Sequence, residues 1–197
     1  MEANIIISVM NTLYIFDFDD TLAMTNSQVR IIKNDGTVQR LNSRKFAAYR
    51  QAPGDQVDFS EFTRADGVLI DDTVSEMQNA ISQHGINNVF IVTARSEAKP
   101  VKQFLKSMNI QVPDVIATAG SEGKSDWLYN KLVDNNYTSV KVYEDCKKNI
   151  NMLKSTVTDF NRETGTSVSY SAVCILPSGD RQLIERYIRQ LLKINSV

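Results

Sequence analysis

Histidine occurs once in the 197 residues, at His84, and cysteine only twice, at Cys146 and Cys174. That scarcity removes whole classes of chemistry. Two cysteines are too few for a disulfide framework in a chain of this length, and a zinc centre or a histidine-based hydrolase would have a single imidazole to draw on. His84 precedes Gly85, which reads as a helix-ending glycine, so a cap or surface role is expected of it. Cys146 and Cys174 read as structural thiols. No apolar run approaches the roughly 20 residues of a membrane span. The segment "NIIISVM" (4–10) is short, follows Glu2 instead of basic residues, and ends at Met10, an alternative start. These absences lead us to expect a cytoplasmic protein with no membrane partner and no evident obligate protein partner. Charge of one sign is also missing, since 22 basic against 23 acidic residues leave a formal −1. Any electrostatic signal must therefore be local.

What the chain does contain is a strand-like run with acid behind it. In "LYIFDFDDTLAMT" (13–25) the apolar and aromatic residues end on Asp17, Asp19 and Asp20. A hydrophobic run of this kind suits the central strand of a parallel sheet covered on both faces, whose carboxyl edge is where such sheets place ligands. Further apolar runs follow as "NNVFIVTAR" (87–95), "VPDVIATAG" (112–120), "SVKVYEDC" (139–146) and "SYSAVCILP" (169–177). Helical patterns separate them over 72–84, 98–108, 125–134 and 147–160, with another over 181–193. This alternation predicts a three-layer α/β/α fold with a central parallel sheet. The interval after the first strand breaks the pattern. There "SQVRIIKNDGTVQRLNS" carries an Asn-Asp-Gly hairpin signal, and Asn42 or Ser43 is placed to cap a short helix. We therefore expect a core of 11–24 and 67–197, with 25–66 inserted as a small cap over the active-site edge.

Asp17 and Asp19 are two residues apart, so in extended chain both would project from the same side of the strand's end. Two carboxylates in one site either share a proton or require a cation. Other run ends supply companions: Thr93, Lys124, Glu144 and Asp145. Arg95 offers a guanidinium for substrate, although pairing with a nearby acid is the commoner fate of such a residue. "GSEGKS" around Lys124 imitates the end of a phosphate-binding P-loop, but Thr118 stands where that motif needs its first glycine. Trp127 reads as core.

"DFDDTL" resembles the first motif of the haloacid dehalogenase (HAD) superfamily, and the other motifs follow in order: Thr93 in "IVTAR", Lys124 in "GKSDWL" and the acidic pair in "YEDCKKN". Phage-encoded and bacterial members of poorly defined function are also similar through "YRQAPGDQVDFSEF". The resemblance implies a Rossmann-like phosphatase core using Mg²⁺. It implies Asp17 as nucleophile, forming an aspartyl-phosphate, and Asp19 as general acid and then base. Mg²⁺ would be held by the Asp17 and Asp145 carboxylates and the Asp19 backbone carbonyl, with Glu144 beyond the direct ligands. Thr93, Lys124 and the amides after Asp17 would bind the phosphoryl group, and Asp20 would support the loop. Dehalogenases of the superfamily need no Mg²⁺ and lack the second aspartate, so Asp19 favours phosphatase chemistry. The expected partner is a phosphorylated small molecule or, alternatively, a 3′- or 5′-phosphorylated nucleic-acid terminus. A non-catalytic binding protein on the same scaffold is the remaining alternative.

Between residues 26 and 52, six basic side chains (Arg30, Lys33, Arg40, Arg44, Lys45 and Arg50) accompany one acidic residue, Asp35. The expectation is a basic face above the site, with Arg44, Lys45 and Arg50 contacting substrate.

Overall fold

A computed structural model of the chain describes residues 11–176. The helical pattern over 181–193 and the apolar segment 4–10 lie outside these residues. The chain opens with β1 (Thr12–Phe16), followed by β2 (Ala23–Thr25), β3 (Val29–Ile32), β4 (Val38–Leu41), α1 (Ser43–Ala47), β5 (Gln56–Asp58) and β6 (Gly67–Leu69). The remainder alternates: α2 (Asp71–His84), β7 (Val89–Thr93), α3 (Lys99–Ser107), β8 (Asp114–Ala117), α4 (Glu122–Val133), β9 (Ser139–Glu144), α5 (Lys147–Thr164) and β10 (Ser169–Cys174). The main sheet is parallel in the order β10-β9-β1-β7-β8, with the acidic strand at its centre. This is the three-layer α/β/α arrangement anticipated from the alternation.

Side-chain alternation along β1 explains both layers. Leu13 and Ile15 pack with Leu128, Leu132, Leu153 and Val157 of α4 and α5, whereas Phe16 packs with Met77, Val101 and Leu105 of α2 and α3. With both faces covered, β1 has no alternation of polar and apolar residues. α4 starts three residues before the helical pattern suggested, at Glu122, so Lys124 lies within its first turn.

The inserted segment forms its own three-stranded antiparallel sheet, β4-β3-β5, on a small core of Val29, Ile31 and Leu41. The hairpin and the Asn42 cap, whose side chain accepts from the Lys45 amide at 2.9 Å, match the sequence reading. The third strand does not appear in that reading: "QVD" is too short to carry a period. A two-stranded ladder of β2 and β6 closes the insertion's base. Gly67 is required there, because at φ +146° an added Cβ would lie 2.1 Å from the Met24 carbonyl oxygen.

Candidate active site

The period of two that sorts the core also delivers the acids. Asp17 continues the Leu13 and Ile15 side of β1, and Glu144 continues the Val140 and Val142 side of β9; both sides face α4. The strands are in register, Phe16 beside Tyr143, and the Asp17 amide donates to the Tyr143 carbonyl at 3.0 Å. Two buried carboxylates therefore stand side by side above the apolar layer, facing α4.

Lys124 answers them from α4. Its Nζ donates to Asp17 Oδ1 at 2.7 Å and to Glu144 Oε2 at 2.8 Å. Lys124 is only 2% exposed, and its neighbouring carboxylates raise its pKa against the opposing cost of burial. The other Glu144 oxygen accepts from the Cys146 amide at 3.2 Å and from Asn149 Nδ2 at 3.1 Å. The preceding Gly123 lets α4 approach, since a Cβ there would fall 2.6 Å from the Thr118 carbonyl oxygen. Gly123→Ala is expected to cost about 1–3 kcal/mol by overpacking and to displace Lys124 from Asp17. Urea denaturation against wild type checks this, and an unchanged midpoint would show that the loop at Thr118 yields freely.

Asp145 completes the acidic group. Carboxylate oxygens of Asp17, Glu144 and Asp145 lie within 4.8 Å of one another. Lys124 is bonded to two of these three carboxylates, Asp17 and Glu144, and its single positive charge leaves two negative charges unbalanced when all three are ionised. Asp17 is pushed up to about 7, first by loss of hydration and then by Glu144, with Lys124 opposing. Asp145 is pushed up to about 8, again first by burial and then by Asp17 and Glu144. Hard oxygen donors with this charge deficit fit a divalent cation.

Asp19 does not join that cluster. Its carboxylate is held by Arg95, with Nε on Oδ2 at 2.9 Å and Nη2 on Oδ1 at 2.7 Å, and Thr25 Oγ1 donates to Oδ1 at 2.6 Å. Arg95 thus pairs with an acid, the commoner fate expected of it, and that acid is Asp19. Arg95 Nη1 also donates to the carbonyls of Phe62, at 3.0 Å, and Arg64, at 2.7 Å, in the segment returning from the insertion. Thr93 ends β7, is buried, and lines the cavity above the acids. The amides of Asp20, Thr21, Leu22 and Ala23 are consumed within the turn. Of the amides after Asp17, those of Phe18 and Asp19 are thus the ones outside the turn's own bonding. Asp20 takes a left-handed φ of +59° and accepts from Ser43 Oγ at 2.9 Å, tying the loop to α1.

No protein-family profile matches this chain, and no curated protein matches it. Among solved structures, the Legionella pneumophila effector Ceg4, crystallised with an N-terminal TEV protease cleavage sequence, is similar with a TM-score of 0.49 and 13% identity. That similarity covers 90% of this chain and 92% of the effector chain.

A cavity of about 460 Å³ opens over Asp17, Asp19, Thr93, Lys124 and Asp145 and is roofed by the insertion. Arg44 and Arg95 line it, whereas Lys45 and Arg50 are exposed outside the lining. The expected basic face is further reduced by pairing. Arg30 meets Asp58 and Arg40 meets Glu61, both at 2.8 Å, and Lys33 meets Asp55 at 2.9 Å. The acids sit on the returning strand and turn, just past the window in which the basic excess was counted. Sequence reasoning also missed Asn149 and Thr25, which orient Glu144 and Asp19. Both were in view, Thr25 as the last residue of the opening stretch and Asn149 as the last of "YEDCKKN", but neither was given a role. His84 lies away from the site, hydrogen bonded through Nε2 to the Tyr14 hydroxyl at 2.9 Å. Both cysteines are free, and Trp127 packs on the core beside Phe90. Among the described residues, no helix is long and apolar enough to cross a membrane.

Proposed function

We propose that this chain is a Mg²⁺-dependent phosphatase of HAD type, hydrolysing a phosphomonoester through an aspartyl-phosphate. The observation that carries the reading is the clustering of the Asp17, Glu144 and Asp145 carboxylates within 4.8 Å of one another, two of them bonded to the buried Lys124 ammonium, at the carboxyl edge of a parallel sheet. Burying so many ionisable groups disfavours folding, and none of them is needed to fill the core. That argues against a non-catalytic scaffold protein.

In this reading Asp17 attacks phosphorus and its carboxylate becomes the acyl phosphate. Asp19 gives a proton to the leaving oxygen and then takes one from the water that hydrolyses the intermediate, which requires one of its two oxygens to exchange Arg95 for that proton. Arg95 and Thr25 hold Asp19 in place, and the amides of Phe18 and Asp19 with Thr93 Oγ1 bind the phosphoryl oxygens. Lys124 fixes the attacking carboxylate and offsets charge. Mg²⁺ would be held by Asp17, Asp145 and the Asp19 carbonyl, and would supply positive charge to the phosphoryl oxygens. Glu144, with both oxygens engaged, would orient Lys124 and remain beyond the metal's direct ligands. Residues 25–66 would act as a cap on a core of 11–24 and 67–197. A nucleic-acid end as substrate gains little support from the insertion, since half of the six basic residues counted there are matched by Asp55, Asp58 and Glu61, and Lys45 and Arg50 lie outside the cavity lining.

A phosphate-release assay over a panel of phosphomonoesters, with and without Mg²⁺, tests the activity. Chelation that leaves turnover unchanged would overturn the metal role. A second readout needs no substrate. Asp17 and Asp145, with pKa values near 7 and 8 when folded, bind protons more tightly than in the unfolded chain. Their contribution is therefore favourable at low pH and lost as pH rises through those values. The melting temperature of metal-free protein is expected to fall by roughly 5–10 °C between pH 6 and 9. Saturating Mg²⁺ should raise the melting temperature at pH 8 and flatten this decline. A decline that Mg²⁺ leaves untouched would refute binding at this cluster.

A further inference from the structure

The roof of the cavity differs chemically from its floor. Where the sequence led us to expect a basic face, the insertion presents one cationic side chain, Arg44, beside the rings of Phe46, Tyr49, Phe59 and Phe62. Phe46 and Phe59 meet edge to face with centroids 5.2 Å apart, and Phe59 and Phe62 do so at 6.1 Å. The Tyr49 hydroxyl donates to Asp55 inside the insertion, which leaves its ring as the part that lines the cavity. Phe46, Tyr49 and Phe62 also pack on the insertion's small core, but Phe59 does not belong to it and remains 50% exposed. A half-exposed phenylalanine that is not needed by the core, and that faces a charged floor, has the chemistry of a stacking surface.

We propose that the substrate is a phosphomonoester whose organic half carries a planar aromatic ring, seated against Phe59 and its neighbours while the phosphate rests on Asp17, Thr93 and Lys124. The placement of the phosphate rests on the phosphatase reading above; the ring site rests on the aromatic roof. The roughly 460 Å³ available lies within the range of small-ligand pockets and exceeds what a lone phosphate fills. Such a ligand pairs apolar face with apolar roof and anion with the cation-bearing floor. A sugar phosphate would leave the rings in water, and a polyphosphate chain would lay charge against them. Two sources share the required chemistry, a nucleobase set back from the phosphate by a sugar and an aryl group one carbon away from the ester oxygen.

The test uses the full chain with Mg²⁺ and substrates matched at the leaving oxygen. One pair is adenosine 5′-monophosphate against ribose 5-phosphate; the other is benzyl phosphate against cyclohexylmethyl phosphate. The ring-bearing member of at least one pair is expected to have the larger kcat/KM by about five-fold or more, the scale of a ring stacked on an aromatic side chain. The pair showing the preference identifies the source. In Phe59→Ala that ratio should fall toward one, and Phe59→Trp should keep it; because each ratio is internal to one protein, partial misfolding does not imitate the effect. Activity on both members with ratios near one in wild type would overturn the ring site and leave the phosphatase reading standing. If no phosphomonoester is turned over, saturation-transfer NMR decides. Transfer to the ring protons of adenosine 5′-monophosphate that is lost in Phe59→Ala would retain the ring site against failure of the phosphatase reading. Absence of transfer would overturn both.

Discussion

In purified Asp17→Asn protein, phosphate release is expected to fall by about four orders of magnitude or more while the chain stays folded. The substitution removes the attacking carboxylate and nearly preserves the side chain's volume. Its structural side effects should be small. The Asp17 amide bond to the Tyr143 carbonyl belongs to the backbone and survives, and an asparagine carbonyl can still accept from Lys124. Lys124 keeps Glu144 as its ionised partner. Removing one of three crowded carboxylates also removes the cost of burying its charge and the repulsion from Glu144, which together push Asp17 up to about 7, so the metal-free variant should melt above wild type at pH 8 to 9. Catalysis and stability thus move in opposite directions, which a misfolded variant could not produce. Near-native phosphate release by Asp17→Asn would refute this side chain as nucleophile.

Lys124→Met should have the largest effect on stability. It preserves most of the side chain's length but leaves Asp17 and Glu144 buried without their ammonium, a class of change that costs about 3–5 kcal/mol. The loss should be greatest near pH 8, where the carboxylates must ionise or bind protons at a cost, and smaller at pH 5, where protonation relieves them. Urea denaturation at the two pH values measures the difference. Equal losses at both would mean that packing of the lysine stem, and not its charge, holds α4 against the sheet. Turnover should fail at either pH.

How much of this was legible beforehand depended on whether a feature was periodic. The five parallel strands carry continuous apolar runs, and the helices between them carry amphipathic patterns, so the layers could be read directly. Asp17, Thr93, Lys124 and Asp145 could be located because each stands where such a run ends or a helix begins. The insertion was only half legible. Its hairpin announces itself through Asn-Asp-Gly, but β5 is three residues long and β2 and β6 are stitched across more than forty residues of intervening chain. Charge was the least legible feature. Arg30, Lys33 and Arg40 look like a basic face when counted along the chain, and only the pairing of β3 with β5, together with the turn that follows β5, brings Asp58, Asp55 and Glu61 against them. In the same way, nothing local to "TAR" revealed that Arg95 would close on Asp19, since the two are brought together by the packing of separate strands.

Arg95 grips Asp19 with one edge of its guanidinium and the carbonyls of residues 62 and 64 with another nitrogen. Every residue type presents a carbonyl, so the bonds to residues 62 and 64 make no demand on the side-chain alphabet of the insertion, whose side chains enter the latch as the Ser27 hydroxyl, 3.3 Å from Nη2, and the ring of Phe62 beneath the guanidinium. Substitutions could therefore rewrite much of the roof, and with it the choice of substrate, while the same guanidinium went on reporting to Asp19 whether the returning segment was in place. Recognition is free to drift on one side of Arg95, and the chemistry on the other side is insulated from that drift.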